Sequence, residues 1–170
     1  NHGLLRRLVG VTNAQIIYDE FETLLADNHH YWLHRGALEL EEQNFSKART
    51  FLNQAKGIDD TDIYVDVELA YLELREAVCN QAGGVSSIGD FDEGIGTLEF
   101  VSDSRKDLRA HATHICANQT LALISVSNFS ADEKKRRLKY WLKAVSRVEN
   151  WQANSYLRNV HEELTRELLG

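Results

Sequence analysis

The stretch YWLHRGALELEEQNFSKARTFLNQA, residues 31–55, carries two apolar stripes separated by a short polar break. Within each stripe the apolar residues recur every three or four positions, which is the spacing of one face of an α-helix. Two helices joined by so short a turn lie side by side and antiparallel. We therefore predict a helical hairpin with its turn at Gln43 and Asn44, and Asn44 as the N-cap of the second helix.

Two small residues, Gly36 and Ala48, lie opposite each other across this predicted turn. Helix axes approach to about 8 Å only where the facing side chains are small. We expect Gly36 and Ala48 to be the point of closest contact, with Trp32 and Leu52 packing on either side of it.

The composition extends the helical prediction to the rest of the chain. The 170 residues include no proline and 43% of them are apolar, which is typical of an all-α protein with a buried core. We predict about eight helices. They include one over residues 14–27 with Asn13 as its cap and a stripe at Ile17, Phe21, Leu24 and Leu25. The others cover residues 62–79, the segment around Phe91 to Val101, residues 105–128, a helix capped by Ser130 and Glu133, and a last helix over residues 152–169.

The hairpin resembles the tetratricopeptide repeat, a helix-turn-helix unit of about 34 residues. The matching residues are Trp32, Gly36, Ala48, Leu52 and Ala55. Arg35, Glu39 and Asp60 stand where the repeat usually has Leu, Tyr and Pro. The resemblance implies an all-α fold in which antiparallel helix pairs stack as a right-handed α-solenoid.

The same register predicts a single tetratricopeptide-like domain over residues 1–170. The first full repeat covers residues 31–57. The second covers residues 62–103 with an insertion at 81–90, because Phe91 and Gly94 repeat the spacing of Phe45 and Ala48. A divergent third repeat covers residues 105–149, and a capping helix covers residues 152–169. Since the chain begins at Asn1 and has no methionine, we expect it to be a piece of a longer bacterial protein.

In the repeat family the first helix of each pair lines a concave groove. The resemblance assigns eight residues to that groove: His30, Leu33, His34, Ala37, Tyr64, Val67, Glu68 and Tyr71. These residues lack the Lys and Asn clamp with which some family members hold a terminal carboxylate. We expect the groove to bind an apolar or aromatic segment of a protein or peptide, with hydrogen bonds from the tyrosines and histidines. Ordinary helix surface, a second copy of the chain, or an intramolecular partner domain are the alternatives.

Candidate chemical sites are few. His30 and His34 are four residues apart, a spacing that can place two imidazoles on one metal, but no third ligand is evident nearby. His111, His114 and Cys116 do not converge on one helix face. The segment GDFDEGIG, residues 89–96, lacks the spacing of a calcium or phosphate loop. We therefore predict no catalytic residue, no metal site and no cofactor.

The charge distribution has one strong local feature. The net charge of −7 opposes general attraction to nucleic acid or anionic membrane. A basic stripe on one helix, consisting of Arg136, Lys139, Lys143 and Arg147, is expected to be solvated or paired within the chain, with a surface for a protein partner and phosphate binding as the alternatives. No apolar run has the roughly 20 residues that cross a bilayer. Two isolated cysteines predict reduced thiols in a cytoplasmic protein.

These features predict a non-catalytic protein–protein interaction scaffold that binds its partner in a concave helical groove. Two alternatives stay open. The helical segments are similar to the tails of bacterial antiphage proteins, which implies a C-terminal sensor or regulatory region of a larger defence NTPase or sirtuin-like enzyme. The basic stripe would instead suit a nucleic-acid-binding protein.

Overall fold

The computed structural model describes residues 10–170, which form helices and no strands. In this part of the chain there are nine helices, consistent with a helical repeat. They are α1 (Val11–Glu20), α2 (Glu22–Leu25), α3 (His29–Glu41), α4 (Phe45–Ile58), α5 (Ile63–Ala82), α6 (Ile88–Ser104), α7 (Arg109–Val126), α8 (Ala131–Ser146) and α9 (Ser155–Leu169). The chain divides into two compact units, one ending at Leu72 and the other running from Glu73 to Gly170. Residues 1–9 of the predicted domain lie outside the described residues.

The hairpin of α3 and α4 forms as its sequence predicts. The turn is made by Gln43, whose φ of 61° places it in the left-handed region. Gly36 faces the second helix so closely that a Cβ built on it would lie 2.6 Å from Leu52 Cγ and 3.3 Å from the carbonyl oxygen of Ala48. Both Ala48 and Leu52 are fully buried. The small residues therefore let the two helices close, which confirms that prediction.

Trp32 anchors the N-terminal side of this hairpin. Its side chain is buried, and its ring centroid lies 5.5 Å from that of Phe51 on α4. The indole N–H donates a 2.7 Å hydrogen bond to the carbonyl oxygen of Ala26, in the connection between α2 and α3. A buried indole needs such a partner, so this bond fixes where the chain enters α3.

Arg35 and Glu39, the two residues that depart from the repeat pattern within α3, are both buried and both hydrogen-bonded. Arg35 donates to Tyr31 Oη at 3.0 Å, to Glu22 Oε2 at 2.7 Å and to Asp19. Its guanidinium carbon also lies 4.5 Å from the centroid of the Phe51 ring. These bonds attach α1 and α2 to the hairpin.

Glu39 has a corresponding set of partners at the other end of α3. It accepts a 2.8 Å hydrogen bond from Asn44 Nδ2 and a 3.2 Å bond from Gln15 Nε2. Asn44 is the N-cap residue of α4, but its side chain makes no capping hydrogen bond to that helix. The side chain that was predicted to cap α4 instead holds the buried carboxylate of Glu39.

The first predicted helix differs from the observed structure. Instead of one helix over residues 14–27 capped by Asn13, α1 begins after Gly10 and a break at Phe21 separates it from α2. The N–H of Phe21 bonds to the carbonyl oxygen of Tyr18, three residues back, which tightens the turn there. Phe21 and Leu24 remain 46% and 77% exposed, so the predicted stripe provides little burial at these two positions.

The second unit contains the predicted helix around Phe91 to Val101 and the predicted helix capped by Ser130. In α6 the buried residues are Phe91, Gly94, Leu98 and Val101. Ser130 caps α8 by accepting a 3.2 Å hydrogen bond from the N–H of Glu133, as predicted. Asn154 caps α9 through bonds to two backbone N–H groups. Since α5 extends to Ala82 and α6 begins at Ile88, the loop within the predicted insertion is residues 83–87.

Candidate functional site

The predicted groove residues on α3 are only partly accessible. His30 is exposed, His34 and Ala37 are half-buried, and Leu33 is buried at 7% exposure. The imidazoles of His30 and His34 stack with their centroids 6.4 Å apart. The accessible side of α3 therefore presents imidazole groups, while Leu33 belongs to the core.

The predicted groove residues on α5 divide in the same way. Tyr64 is 47% exposed, Tyr71 and Glu68 are half-buried, and Val67 is buried at 1% exposure. Tyr71 packs against the hydrophobic core that α3, α4 and α5 share. The structure thus brings imidazoles and tyrosines onto two helices of one compact unit, and it removes Leu33 and Val67 from the accessible surface.

Glu68 has the most altered acid–base property of these residues. Part of its side chain remains accessible, but the carboxyl group is crowded by protein atoms. Desolvation by burial raises the pKa of Glu68 to about 7. Near neutral pH the carboxyl group therefore exists in both protonation states, so it can donate as well as accept a hydrogen bond.

A second group of side chains, which we call the His–Asp cluster, lies at the start of α3 and in the α4–α5 connection. Its members are His29, His30, Asp59 and Asp62. His29 Nε2 lies 3.3 Å from Asp62 Oδ2 and 3.8 Å from Asp59 Oδ2. His30 Nδ1 lies 3.8 Å from the same Asp62 Oδ2. One ligand atom from each of His29, His30 and Asp62 lies within 4.8 Å of the other two.

Local backbone structure orients both aspartates of this cluster. Asp62 Oδ1 accepts a 3.0 Å hydrogen bond from the N–H of Tyr64 in the first turn of α5. Asp59 Oδ1 accepts a 2.7 Å bond from the Thr61 hydroxyl and a 3.0 Å bond from the Thr61 N–H. These two bonds hold the pKa of Asp59 below its usual value. In each aspartate one oxygen is engaged by the turn, and the other points toward the imidazole of His29.

The spacing of residues along one helix indicates His30 with His34 and not this cluster. The partners come instead from the neighbouring residue His29 and from Asp62, which lies in the α4–α5 connection. The approach of Asp62 to the two histidines depends on how that connection packs against the start of α3, and spacing along the chain gives no signal for it.

The predicted basic stripe on α8 is only partly available. Arg136 forms two hydrogen bonds with Glu133, and Arg137 pairs with both Glu133 and Asp92. Hydrogen bonds from Arg136 and then Arg137 lower the pKa of Glu133 to about 2. Lys139, Lys143 and Arg147 are exposed. Within the predicted stripe, the accessible cations without a carboxylate of Glu133 beside them are therefore Lys139 and Lys143 on α8 and Arg147 at its C-cap.

The second unit also contains a cleft of about 370 Å³ between α6, α7 and α8. Arg109, Arg147 and Trp141 are among its lining residues. At its rim the hydroxyl group of Tyr140 donates to Glu99, a bond that raises the pKa of Tyr140 to about 12. The volume would suit a small molecule, but Glu99 at its rim already accepts the hydrogen bond from Tyr140.

The remaining candidates from the sequence do not form a site in residues 10–170. Cys116 is buried, and desolvation raises the pKa of its thiol. Burial also lowers the pKa values of His111 and His114, and the ring of His114 packs 5.4 Å from that of Tyr156. His111, His114 and Cys116 are not among the described residues whose ligand atoms converge.

No described helix combines the length and the apolar character needed to cross a membrane. Comparison of the chain with protein-family models, with curated proteins and with solved structures found no match.

Proposed function

We propose that this chain is a non-catalytic interaction module, of tetratricopeptide-like construction, that binds a protein or peptide segment along α3 and α5. The observation that carries the proposal is the placement of His30, His34, Tyr64 and Tyr71. All four keep part of their side chains accessible on helices whose opposite faces share one core. Such a surface offers aromatic contact area and hydrogen-bonding groups together.

The rigidity of the supporting hairpin favours binding at this surface. The contact of Gly36 with Leu52 attaches α3 to α4, and the hydrogen bond from Trp32 to Ala26 attaches it to the α2–α3 connection. A surface that is already ordered loses less conformational entropy when a partner binds. The affinity of a short segment then depends on the contacts themselves rather than on ordering the receptor.

The chemistry of the surface indicates the kind of partner. Tyrosine contributes a large ring and a hydroxyl group at a small entropic cost, and it is frequent among residues that dominate binding energy. We therefore expect a segment with an aromatic or aliphatic side chain and unpaired backbone polar groups.

A second candidate, nucleic-acid binding, is favoured by one observation, the exposure of Lys139 and Lys143 on α8 and of Arg147 at its C-cap. Phosphate contacts of this kind weaken steeply as salt rises. We would measure binding of a labelled single-stranded RNA and a labelled DNA duplex at two salt concentrations. Loss of binding in the Lys139→Glu/Lys143→Glu variant would favour this candidate, and salt-independent or absent binding would exclude it.

Peptide selection tests the first proposal and requires no candidate partner at the outset. A random peptide library would be selected against the immobilised chain, and the enriched peptides would be labelled and titrated by fluorescence anisotropy. Removing a central aromatic contact typically costs 1 kcal/mol or more, so we expect Tyr64→Ala to weaken binding at least about 5-fold. Tyr156→Ala is the matched control, because Tyr156 is 65% exposed and lies on α9.

Two results would contradict this proposal. One is a selection that enriches no peptide above background. The other is a set of peptides that bind wild type and Tyr64→Ala equally but lose affinity in Tyr156→Ala, which would place the binding surface in the second unit.

A further inference from the structure

The carboxylate of Asp62 is an unusual feature of the first unit. Its side chain is only 9% exposed, and its Oδ2 atom is shielded from solvent and accepts no hydrogen bond in the described residues. Burying an ionised oxygen without a partner costs several kcal/mol in general, so such atoms usually have a water or an ion beside them. The position of Asp62 therefore requires a cationic or hydrogen-bonding partner.

The groups around Asp62 Oδ2 are the nitrogen atoms of two imidazoles. The 3.3 Å separation from His29 Nε2 and the 3.8 Å separation from His30 Nδ1 are long for charge-assisted hydrogen bonds, which measure about 2.7–2.9 Å. Ligand atoms about 2.1 Å from a tetrahedral Zn²⁺ lie about 3.4 Å from one another. The observed separations therefore match the edges of a metal coordination sphere better than a direct hydrogen bond.

From this geometry we infer that His29, His30 and Asp62 bind a divalent first-row transition metal ion, of which Zn²⁺ is the representative. Imidazole nitrogen and carboxylate oxygen are ligands that these metals prefer. The fourth position would be taken by Asp59 Oδ2, which lies 3.8 Å from His29 Nε2, or by solvent. This inference does not depend on the proposed binding of a protein or peptide.

The surroundings of the cluster are suited to orient and admit such an ion. The Tyr64 N–H donates to Asp62 Oδ1, which leaves Oδ2 as the ligand atom. Side chains that bind metals are typically oriented by such a hydrogen bond. The side chain of His30 is 62% exposed, so the ion can enter from solvent and His30 can rotate to meet it. The metal would join the start of α3 to the α4–α5 connection.

The test uses the full 170-residue chain after treatment with a chelator and dialysis. Zn²⁺ alone is titrated into this sample, and isothermal titration calorimetry measures the binding. We expect saturable 1:1 binding with a Kd of about 10 μM or tighter, and a Tm that rises by several degrees once Zn²⁺ exceeds the Kd about 100-fold. Co²⁺, used as a spectroscopic substitute, should give the visible absorption of a low-symmetry site with nitrogen and oxygen ligands.

Two variants test the ligands, and two serve as controls. Asp62→Asn keeps an oxygen for the Tyr64 N–H and so preserves the helix start, and we expect it to weaken Zn²⁺ binding at least about 10-fold. His29→Ala should do the same, with helical circular dichroism unchanged. Asp60→Asn, an exposed residue of the same loop, and His34→Ala, the other imidazole near His30, should bind as wild type does.

Three outcomes would overturn the inference. The first is the absence of saturable binding. The second is wild-type affinity in both Asp62→Asn and His29→Ala. The third is that His34→Ala loses binding while Asp62→Asn binds as wild type does. That result would assign the metal to the pair His30 and His34 instead. A folded but non-binding Asp62→Asn variant would support it, because a merely structural role for Asp62 does not alter metal affinity.

Discussion

Gly36 and Leu52 meet so closely in the α3–α4 hairpin that no side chain larger than hydrogen fits at position 36 without displacement. A Cβ there would lie 2.6 Å from Leu52 Cγ and 2.7 Å from Leu52 Cδ2. Real Cβ atoms do not approach a neighbour this closely, so Leu52 would have to move within a buried core. The stability of the first unit therefore depends on this glycine.

We predict that Gly36→Ala destabilises the protein by up to about 2 kcal/mol. The gain in helix propensity, about 1 kcal/mol, is outweighed by overpacking against Leu52, which typically costs 1–3 kcal/mol. Urea unfolding monitored by tryptophan fluorescence would measure the change, because Trp32 lies in the same core.

Gly96→Ala is the matched control for that substitution. Gly96 is also inside a helix, but nothing lies within 4 Å of the position its Cβ would take. We expect this variant to gain roughly 0.5–1 kcal/mol from helix propensity alone. If both variants shifted stability in the same direction by the same amount, close packing at Gly36 would not be the explanation.

Arg35→Ala should loosen the attachment of α1 and α2 to the hairpin. The variant loses the hydrogen bonds to Tyr31, Glu22 and Asp19, and bonds of this charged kind contribute about 1.5–3 kcal/mol. Because the carboxylates of Asp19 and Glu22 are more than half exposed and can be rehydrated, we expect a total loss of about 2 kcal/mol. Hydrogen exchange should speed up most in residues 11–25.

Arg35→Leu, which introduces the residue usual in the repeat family, is the companion variant. It keeps apolar contact with the Phe51 ring but not the polar bonds, so it should be more stable than Arg35→Ala while showing the same faster exchange in α1 and α2. Unchanged exchange in both variants would mean that other contacts hold these helices.

Glu68→Gln should change how stability depends on pH. The unfolded chain releases the Glu68 proton near pH 4.5, whereas the folded protein retains it until about pH 7. Between these values the folded state binds more protons at Glu68, so the contribution of Glu68 to stability falls as pH rises from 4.5 to 7 and is constant above that. The glutamine variant lacks this contribution, which for a shift of this size is on the order of 3 kcal/mol.

Urea unfolding of wild type and Glu68→Gln at pH 4, 6 and 8 would measure the difference. The free energy of unfolding of the variant, relative to that of wild type, should increase from pH 4 to pH 8. The control is Glu162→Gln, at an exposed position of α9. Its free energy of unfolding should depend on pH in the same way as that of wild type. Parallel curves for wild type and Glu68→Gln would contradict the assigned desolvation.

The two cysteines should differ in reactivity. Cys79 is exposed, whereas Cys116 is buried and burial raises the pKa of its thiol. Because the thiolate is the reacting species, a thiol reagent should label one cysteine rapidly in the native protein and the second only after unfolding. Cys79→Ser should abolish the rapid phase. A rapid phase that survives in Cys79→Ser would show that Cys116 is accessible.

The helical hairpin could be predicted from local sequence because its determinants are neighbours in the chain. The apolar spacing, the small residues at Gly36 and Ala48 and the short turn all lie within residues 31–55. The same holds for the cap at Ser130 and for the buried positions of α6. Near Phe21 local periodicity gave the wrong result, since one continuous stripe became two helices.

Polar partnerships could not be predicted in the same way. Arg35 was a simple departure from the repeat pattern until the structure placed Asp19, Glu22 and Tyr31 around it. Asn44 was a predicted cap until its side chain was found on Glu39. In both cases the side chain bonds to a group whose position depends on how the helices pack, so local sequence patterns did not predict the bond.

The amino-acid sequence by itself determined that the chain is helical, where its central hairpin turns and which residues let that hairpin close, because each of these depends on contacts between nearby parts of the chain. Only the tertiary structure decided that Leu33 and Val67 are buried, and that Asp62 turns an unpaired oxygen toward His29 and His30. Those relationships depend on how separate helices pack, and the spacing of residues along one helix carries no information about distances between atoms on another.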